Sequence, residues 1–265
     1  MGDAPDLTAT TATAIDRAGS RHGSRLVIDA DHLPEGEEKV RAVRSMFDAI
    51  APRYDLVNRV MTFRMDVGWR RRTVRDLRLG PGSVVADLAC GTGDFCRELS
   101  GAGLAPIGFD LSFGMLANAR TDAPLAQADA LRLPLPDGAI DGVTCGFALR
   151  NLVELGPFFG ELARVVRPGG RIALLEVAEP ANPVLRWGHG VYFGSVVPRI
   201  GGLLSDPAAY RYLPKSVAYL PEPHLMLDQL RDAGFCGAQR QLLSTGIAQL
   251  ITATRERPEW ATPGP

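Results

Sequence analysis

No segment constrains this chain more than Val84-Val85-Ala86-Asp87-Leu88-Ala89-Cys90-Gly91-Thr92-Gly93-Asp94. A β-branched, apolar run enters a glycine turn, and a helix-forming stretch leaves it. A strand that is apolar at successive positions has both faces covered, the condition of a strand inside a parallel sheet. Gly91 and Gly93 permit the bend and let a ligand approach backbone amides with no Cβ in the way. The middle of the chain repeats the theme. Short apolar runs at 83–88, 105–109, 140–145 and 171–177 alternate with helix-like stretches at 95–101, 113–120 and 158–166. That alternation predicts an α/β fold with a doubly wound, mostly parallel sheet covered by helices on both faces.

The flanks complete this plan. Residues 1–34 are expected to form a disordered tail, because the first 23 are rich in Ala, Thr, Asp and Ser and contain no aromatic residue. Residues 35–256 form the predicted folded domain, opened by N-terminal helices over 35–79, and 257–265 form a C-terminal tail. Val40, Val43, Met46, Phe47 and Ile50 repeat at helical spacing, and Pro52 ends that helix or starts the next. A further helix spans 66–79 before the break at Gly80-Pro81-Gly82. Pro168-Gly169-Gly170 marks a tight turn feeding the 171–177 strand. Residues 225–233 predict a helix stopped by Gly234, and 246–254 a closing strand. Between them, 180–223 carries seven prolines and four of the five tyrosines. It is too apolar for a linker and is expected to be an insertion over the substrate side.

Composition excludes several function classes. With 46% hydrophobic and 22% charged residues and a net charge of −1, the chain lacks the basic surface that bulk nucleic-acid binding needs. Cys90, Cys96, Cys145 and Cys236 form no C-x-x-C pair and share no histidine cluster, so neither a metal site nor a disulfide framework is expected. A reducing cytoplasm fits best. The first 25 residues hold no apolar signal core, and no run approaches the roughly 20 apolar residues that span a bilayer. Any membrane contact is therefore expected to be peripheral, at the inner face of the cell membrane.

The glycine turn has no third glycine at the dinucleotide spacing, and Asp87 and Asp94 flank it. A pyrophosphate prefers helix-terminal amides free of nearby negative charge. A cationic, phosphate-free ligand suits the turn better, and S-adenosyl-L-methionine is one. Asp110 closes the second strand 23 residues after Asp87, about the spacing at which an acid holds a ribose diol. Leu111 follows it. Asp129, in Gln127-Ala128-Asp129-Ala130, can accept from an adenine amino group while the Ala130 amide meets a ring nitrogen. Singly, each acid reads equally well as a cap or turn residue. Together at the ends of successive strands, they point to the cofactor.

Four motifs are similar to those of the ubiquinone/menaquinone biosynthesis C-methyltransferases. They are Phe47-Asp48-Ala49-Ile50-Ala51-Pro52-Arg53-Tyr54-Asp55-Leu56-Val57-Asn58 with Trp69-Arg70, the cofactor turn, Gly146-Phe147-Ala148-Leu149-Arg150-Asn151, and Tyr210-Arg211-Tyr212-Leu213-Pro214-Lys215-Ser216. The resemblance spans 43–254. It implies C-methylation of a prenylated quinol, most often demethylmenaquinol to menaquinol in respiratory quinone synthesis. It also implies cofactor contacts at Thr92, Asp110, Asp129 and Ala130. Three departures stand out. Ala148 replaces a glycine; Thr62 and Arg64 replace the serine and glycine of an early S-x-G motif; and Gly146 stands where some relatives carry a cofactor-contacting serine.

The expected catalytic residues are Arg150, Asn151 and Tyr54. An aromatic carbon is a poor nucleophile until an adjacent hydroxyl loses its proton, so the site must stabilise a developing phenolate. The Arg150 guanidinium stays protonated and suits that task. Asn151 can fix the arginine or a second oxygen, while Tyr54 and Asp55 cover the cofactor. Arg150-Asn151 also reads as a surface helix-entry pair, and Arg70–Arg72 as a solvated helix face. His189 and His224 have no partner pattern and are expected in loops or at the surface. Two other functions stay open: the same fold acting on a secondary-metabolite phenol or polyketide, and a non-catalytic S-adenosylmethionine-binding protein. A homodimer is compatible with either.

Overall fold

The computed structural model describes residues 35–197, 199, 212 and 216–257. The tail expected at 1–34, all of the tail expected at 257–265 except Arg257, and most of the fourth motif lie outside the described residues. Seven strands form one sheet in the order β3-β2-β1-β4-β5-β7-β6. They are β1 (Val84–Leu88), β2 (Ala105–Asp110), β3 (Leu125–Gln127), β4 (Ile140–Gly146), β5 (Val166–Val177), β6 (Phe235–Leu243) and β7 (Ala248–Arg255). The first five pair in parallel, and β7 lies antiparallel between β5 and β6. This is the doubly wound, mostly parallel sheet the alternation predicts. Its strand order reverses between β1 and β4, and in such sheets ligands sit beyond the carboxyl ends at that reversal.

Helices cover both faces. α6 (Leu155–Val165) and α8 (Pro223–Asp232) pack one face through Phe158, Phe159, Leu162 and Leu230. α3 (Met65–Leu77) and α4 (Asp94–Gly101) pack the other through Trp69, Leu77, Phe95 and Leu99. A third cluster joins α1 (Gly36–Ile50) and α2 (Tyr54–Met61) to Met115 of α5 (Phe113–Ala117). Pro52 sits in a short 3-10 turn, Ala51–Arg53, that links α1 to α2. From the insertion, α7 (Pro183–Val191) runs on into a π-helical turn, Tyr192–Val196.

Two elements differ from expectation. β6 was not predicted, because its sequence Phe-Cys-Gly-Ala-Gln-Arg-Gln-Leu-Leu lacks an apolar run. It is an edge strand with many solvent-facing positions and a break in register between Cys236 and Gln239. The Pro168-Gly169-Gly170 turn lies inside β5, where pairing jumps from Ile140–Val166 to Gly142–Arg171. A Cβ on Gly170 would come within 2.7 Å of the Asp141 carbonyl, so this bulge needs the glycine.

Candidate active site

The glycine turn begins at the carboxyl end of β1 and wraps a strained backbone: Ala89, Gly91 and Gly93 all have positive φ. Gly93 caps α4 at φ +82°, where a Cβ would lie 2.6 Å from Thr121. The Gly91 amide donates to Asp110 Oδ2 at 2.7 Å, and the Ser112 amide to Asp110 Oδ1 at 2.8 Å. Asp110 thus ties the first and second strand ends together. Burial raises its carboxyl above the usual range, against those two amides.

Beyond these strand ends lies a cavity of about 120 Å³. Of the sequence-predicted cofactor residues, Gly91, Asp110, Leu111, Asp129, Ala130 and Gly146 border it. Asp129 Oδ1 also accepts the Leu131 amide at 2.9 Å. A cavity with a carboxylate at Asp110, another at Asp129 and apolar walls from Val43, Leu111 and Val153 suits a ribose and a purine plane. Gly146 faces Phe95, whose ring would stand 2.5 Å from a Cβ there, which explains why no serine occupies this position.

Asp87, Thr92 and Gly93 support the turn from outside the cavity lining. Asp87 is buried beneath it and accepts from Thr144 Oγ1 at 2.9 Å and Cys96 Sγ at 3.5 Å. Burial pushes its carboxyl up to about 7, outweighing the two neutral donors and the more distant Arg70. Thr92 turns its hydroxyl to Asp55 of α2. Asp94 is not free to meet a cationic ligand: Arg70 and Arg97 both hold it. The acids left facing a ligand are therefore Asp110 and Asp129, not those flanking the turn.

The acids of the first motif act as clamps. Asp48 of α1 accepts from Ser112 Oγ at 2.6 Å and from the Gly114 amide at 2.8 Å, where only a glycine fits, since a Cβ would lie 2.8 Å from Asp48 Cα. Asp48 and Asp55 thus fasten α1 and α2 over the cofactor turn. Lys39 adds a third fastening, donating to the Leu152 carbonyl at 2.6 Å beneath the Tyr219 ring. Burial pushes its amine down to about 8. Neither Asp48 nor Lys39 was singled out in the sequence; Lys39 carried no signal, since it interrupts an otherwise apolar helix face.

A second, mostly apolar cavity of about 530 Å³ adjoins the first, and Phe47, Tyr54 and Phe147 border both. Phe63, Val184 and Leu185 line it while exposed to solvent, so they mark its mouth. Arg150 borders it and is buried, which excludes the surface reading. Its Nη1 donates to the Phe147 carbonyl at 2.7 Å and pairs with Glu176, and its Nε meets Ser216 Oγ at 3.1 Å. Asn151 borders the cofactor cavity instead, and its Oδ1 accepts from the Tyr212 hydroxyl at 3.3 Å. Tyr54, at the junction, stacks edge-on with Phe47, and burial raises its phenol above the ordinary value. Arg150 and Arg70 both act electrostatically on that hydroxyl.

Arg70 is a correction to the solvated-face reading. Arg71 is exposed, but Arg70 is buried, pairs with Asp66 and Asp94, and borders the large cavity. One helical turn separates Asp66 from Arg70, a spacing shared by countless surface pairs, so the sequence did not mark it. His189 also borders this cavity and stacks on Phe193, with ring centroids 4.3 Å apart. Arg64 occupies a left-handed conformation at φ +62° before α3. That backbone explains the glycine of the S-x-G motif.

Comparison with known proteins agrees with this geometry. The model of the ubiE/COQ5 methyltransferase family matches residues 34–255. The demethylmenaquinone methyltransferase of Thermus thermophilus is 42% identical over 79% of this chain and 100% of its own length. That of Deinococcus radiodurans is 40% identical over 80% and 92%. Among solved structures, a Haloferax volcanii methyltransferase in complex with the Trm112 activator superposes with a TM-score of 0.59 at 18% identity, over 80% of this chain and 98% of that one. An Aquifex aeolicus SAM-dependent methyltransferase gives 0.51 at 16% identity, over 70% and 88%. At such identities these structures speak for the fold. With the turn, the Arg150-Asn151 pair and the clamped N-terminal helices in place, the chain belongs to the ubiE/COQ5 methyltransferase family and uses S-adenosylmethionine.

Proposed function

We propose that this enzyme methylates a ring carbon of a prenylated naphthoquinol, converting demethylmenaquinol to menaquinol. The observation that carries the reading is the large apolar cavity, which meets the cofactor cavity at Tyr54 and Phe147 and carries Arg150 in its wall. Bound S-adenosylmethionine supplies an activated methyl group, so the protein's task is to position and polarise the acceptor. Asp110 and Asp129 are suited to hold its ribose and adenine. Arg150, fixed by Glu176, the Phe147 carbonyl and Ser216, presents a preorganised cation toward a ring oxygen as charge develops there. Asn151 and Tyr54 shape the junction.

The same reading places the enzyme peripherally on a membrane. Phe63 and Trp187 are 71% and 73% exposed, and Val60, Val184 and Val191 are exposed beside them on α2 and α7. The end of α2 and the π-helical turn that continues α7 touch, since the Phe63 and Tyr192 rings lie 5.8 Å apart and Tyr192 donates to the Met61 carbonyl. An apolar rim at the mouth of an apolar cavity suits withdrawal of an isoprenoid tail from lipid. No helix among the described residues is long and apolar enough to cross a membrane.

The test measures methyl transfer to demethylmenaquinol, a benzoquinol and a simple phenol, each presented in anionic liposomes. Turnover is expected to be highest on the naphthoquinol, with enzyme sedimenting with the liposomes and released by Phe63→Ser/Trp187→Ser. Preference for the simple phenol, with no liposome binding, overturns the reading.

A further inference from the structure

The acceptor cavity has mostly apolar walls, yet forming a phenolate inside it requires a group to take the hydroxyl proton. Arg150 is always charged and cannot take it. Glu176, its partner, does not border the cavity, and Glu179 borders it only at the exposed rim. Tyr54 holds its own proton more tightly than usual because it is buried. Two wall groups remain, His189 and Asp66. His189 is stacked on Phe193 and carried by α7, the helix of the mouth residues Val184 and Leu185. Asp66 is a carboxylate 1% exposed, and of the two only Asp66 is paired with a cation of the same wall.

We propose that Asp66, paired with Arg70, takes the hydroxyl proton of the acceptor ring and thereby restricts the enzyme to the reduced, quinol form; this rests on the quinol reading above. A carboxylate offers about four lone-pair sites. Thr62 Oγ1 uses one at 2.6 Å and Arg70 Nη2 another, so capacity for an incoming hydroxyl remains. In the proton transfer the ring O–H bond breaks, an O–H bond forms on Asp66, and the electron pair stays on the ring oxygen. The negative charge moves a few ångströms but stays beside the same guanidinium, so the net charge of the buried cluster does not change. Arg70 is never left alone, because its Nη2 also meets Asp94 Oδ2 at 2.5 Å, and Asp94 is held by Arg97. The ring carbon ortho to that oxygen gains the methyl group and then releases its own proton to water. Asp66 returns its proton to the ring oxygen, so each turnover releases one proton to solvent. A quinone has no O–H to offer, and its carbonyl would face the carboxylate unsatisfied, which disfavours the oxidised form. The Thr62 that departs from the family motif here holds the proton acceptor in place.

The test compares anaerobic binding of 1,4-naphthoquinol and 1,4-naphthoquinone to the wild type and to Asp66→Asn, alongside turnover. The wild type should favour the quinol by about tenfold or more, the scale of a hydrogen bond to a charged acceptor. In Asp66→Asn, whose amide can donate to a carbonyl, that preference should fall to near unity. Its kcat should drop about a hundredfold, the scale of a lost general base, with KM changing less. The lost rate should return as pH rises toward the quinol's own ionisation, and S-adenosylmethionine affinity should not change. A wild type that binds both forms equally, or a folded Asp66→Asn that keeps the wild-type preference and turnover, overturns the proposal. Should Asp66→Asn not fold, Asp66→Glu retains a carboxylate and should retain quinol preference; equal affinities there also overturn it. An enzyme that selects quinol in binding yet methylates no quinol refutes the acceptor assignment while leaving the Asp66 selection standing.

Discussion

The two cavities that meet at Tyr54 and Phe147 are walled by different means. The cofactor cavity lies at strand ends and tight turns, where backbone amides of Gly91 and Ser112 meet Asp110 and a lone buried acid, Asp87, sits beneath. The acceptor cavity is walled largely by helix side chains from α1, α2, α3 and α7, and its two wall arginines are held in buried ion pairs: Arg150 with Glu176, and Arg70 with Asp66 and Asp94. Backbone geometry tolerates little change, because each turn residue is held by its own φ. Side-chain pairs can be exchanged as long as charge stays balanced. The first cavity therefore suits an invariant cofactor and the second an acceptor that differs between relatives. The departures from the family pattern divide between the two: Thr62 borders the acceptor cavity, Gly146 and Ala148 border the cofactor cavity, and the glycine turn itself is intact.

The largest expected effect comes from breaking an ion pair on the acceptor side. Arg150→Ala leaves Glu176, which is 0% exposed, charged and unpaired, and should cost about 3–5 kcal/mol of stability in urea unfolding. Adding Glu176→Gln should restore part of that stability but none of the turnover. Arg150→Lys should keep most of the stability yet lower turnover by roughly a hundredfold, since a point charge on a flexible stem does not reproduce a planar fork. Near-normal turnover in Arg150→Lys would show that the guanidinium serves packing alone and that the two cavities are less different than their geometry implies.

A smaller effect, of opposite sense, is expected on the cofactor side. The folded protein holds the Asp87 proton more tightly than the unfolded chain does, with the carboxyl raised to about 7 by burial. Its ionisation therefore opposes folding. The stability contributed by the protonated group is complete below about pH 4 and is lost as pH rises through about 7, a change of up to a few kcal/mol. Asp87→Asn should flatten that decline, measured as unfolding midpoints from pH 4 to 8. Asp110 is shifted in the same direction and should leave a residual slope. An unchanged pH profile would mean that Asp87 is solvated or paired in solution.

The smallest effect tests the backbone on the acceptor side. Arg64 holds a left-handed conformation that glycine adopts freely, so Arg64→Gly should stabilise the protein by up to about 1 kcal/mol, with S-adenosylmethionine affinity unchanged. Loss of stability would indicate that the Arg64 side chain makes a contact outweighing the strain.

The sequence by itself determined the parallel sheet, the cofactor turn and the identity of Asp110, Asp129 and Arg150 as residues of interest. These features are written locally. Apolar runs encode buried strands, glycines encode positive φ, and an acid at a strand end stays near that end in any packing. It missed β6, because an edge strand need not be apolar, and it read Arg70 as solvated because a charge on a helix carries no mark of burial. Only the tertiary structure decided which way Asp94 and Thr92 turn, that Asp48, Asp55 and Lys39 clamp the N-terminal helices, and that Asp66 and Arg70 reach the acceptor cavity. Most of those outcomes depend on partners far along the chain, from the 24 positions between Arg70 and Asp94 to the 113 between Lys39 and Leu152. Periodicity and spacing record what a residue is next to in the chain. Which charge it meets in the interior is settled only when separate elements pack and every buried ion must find a counterpart.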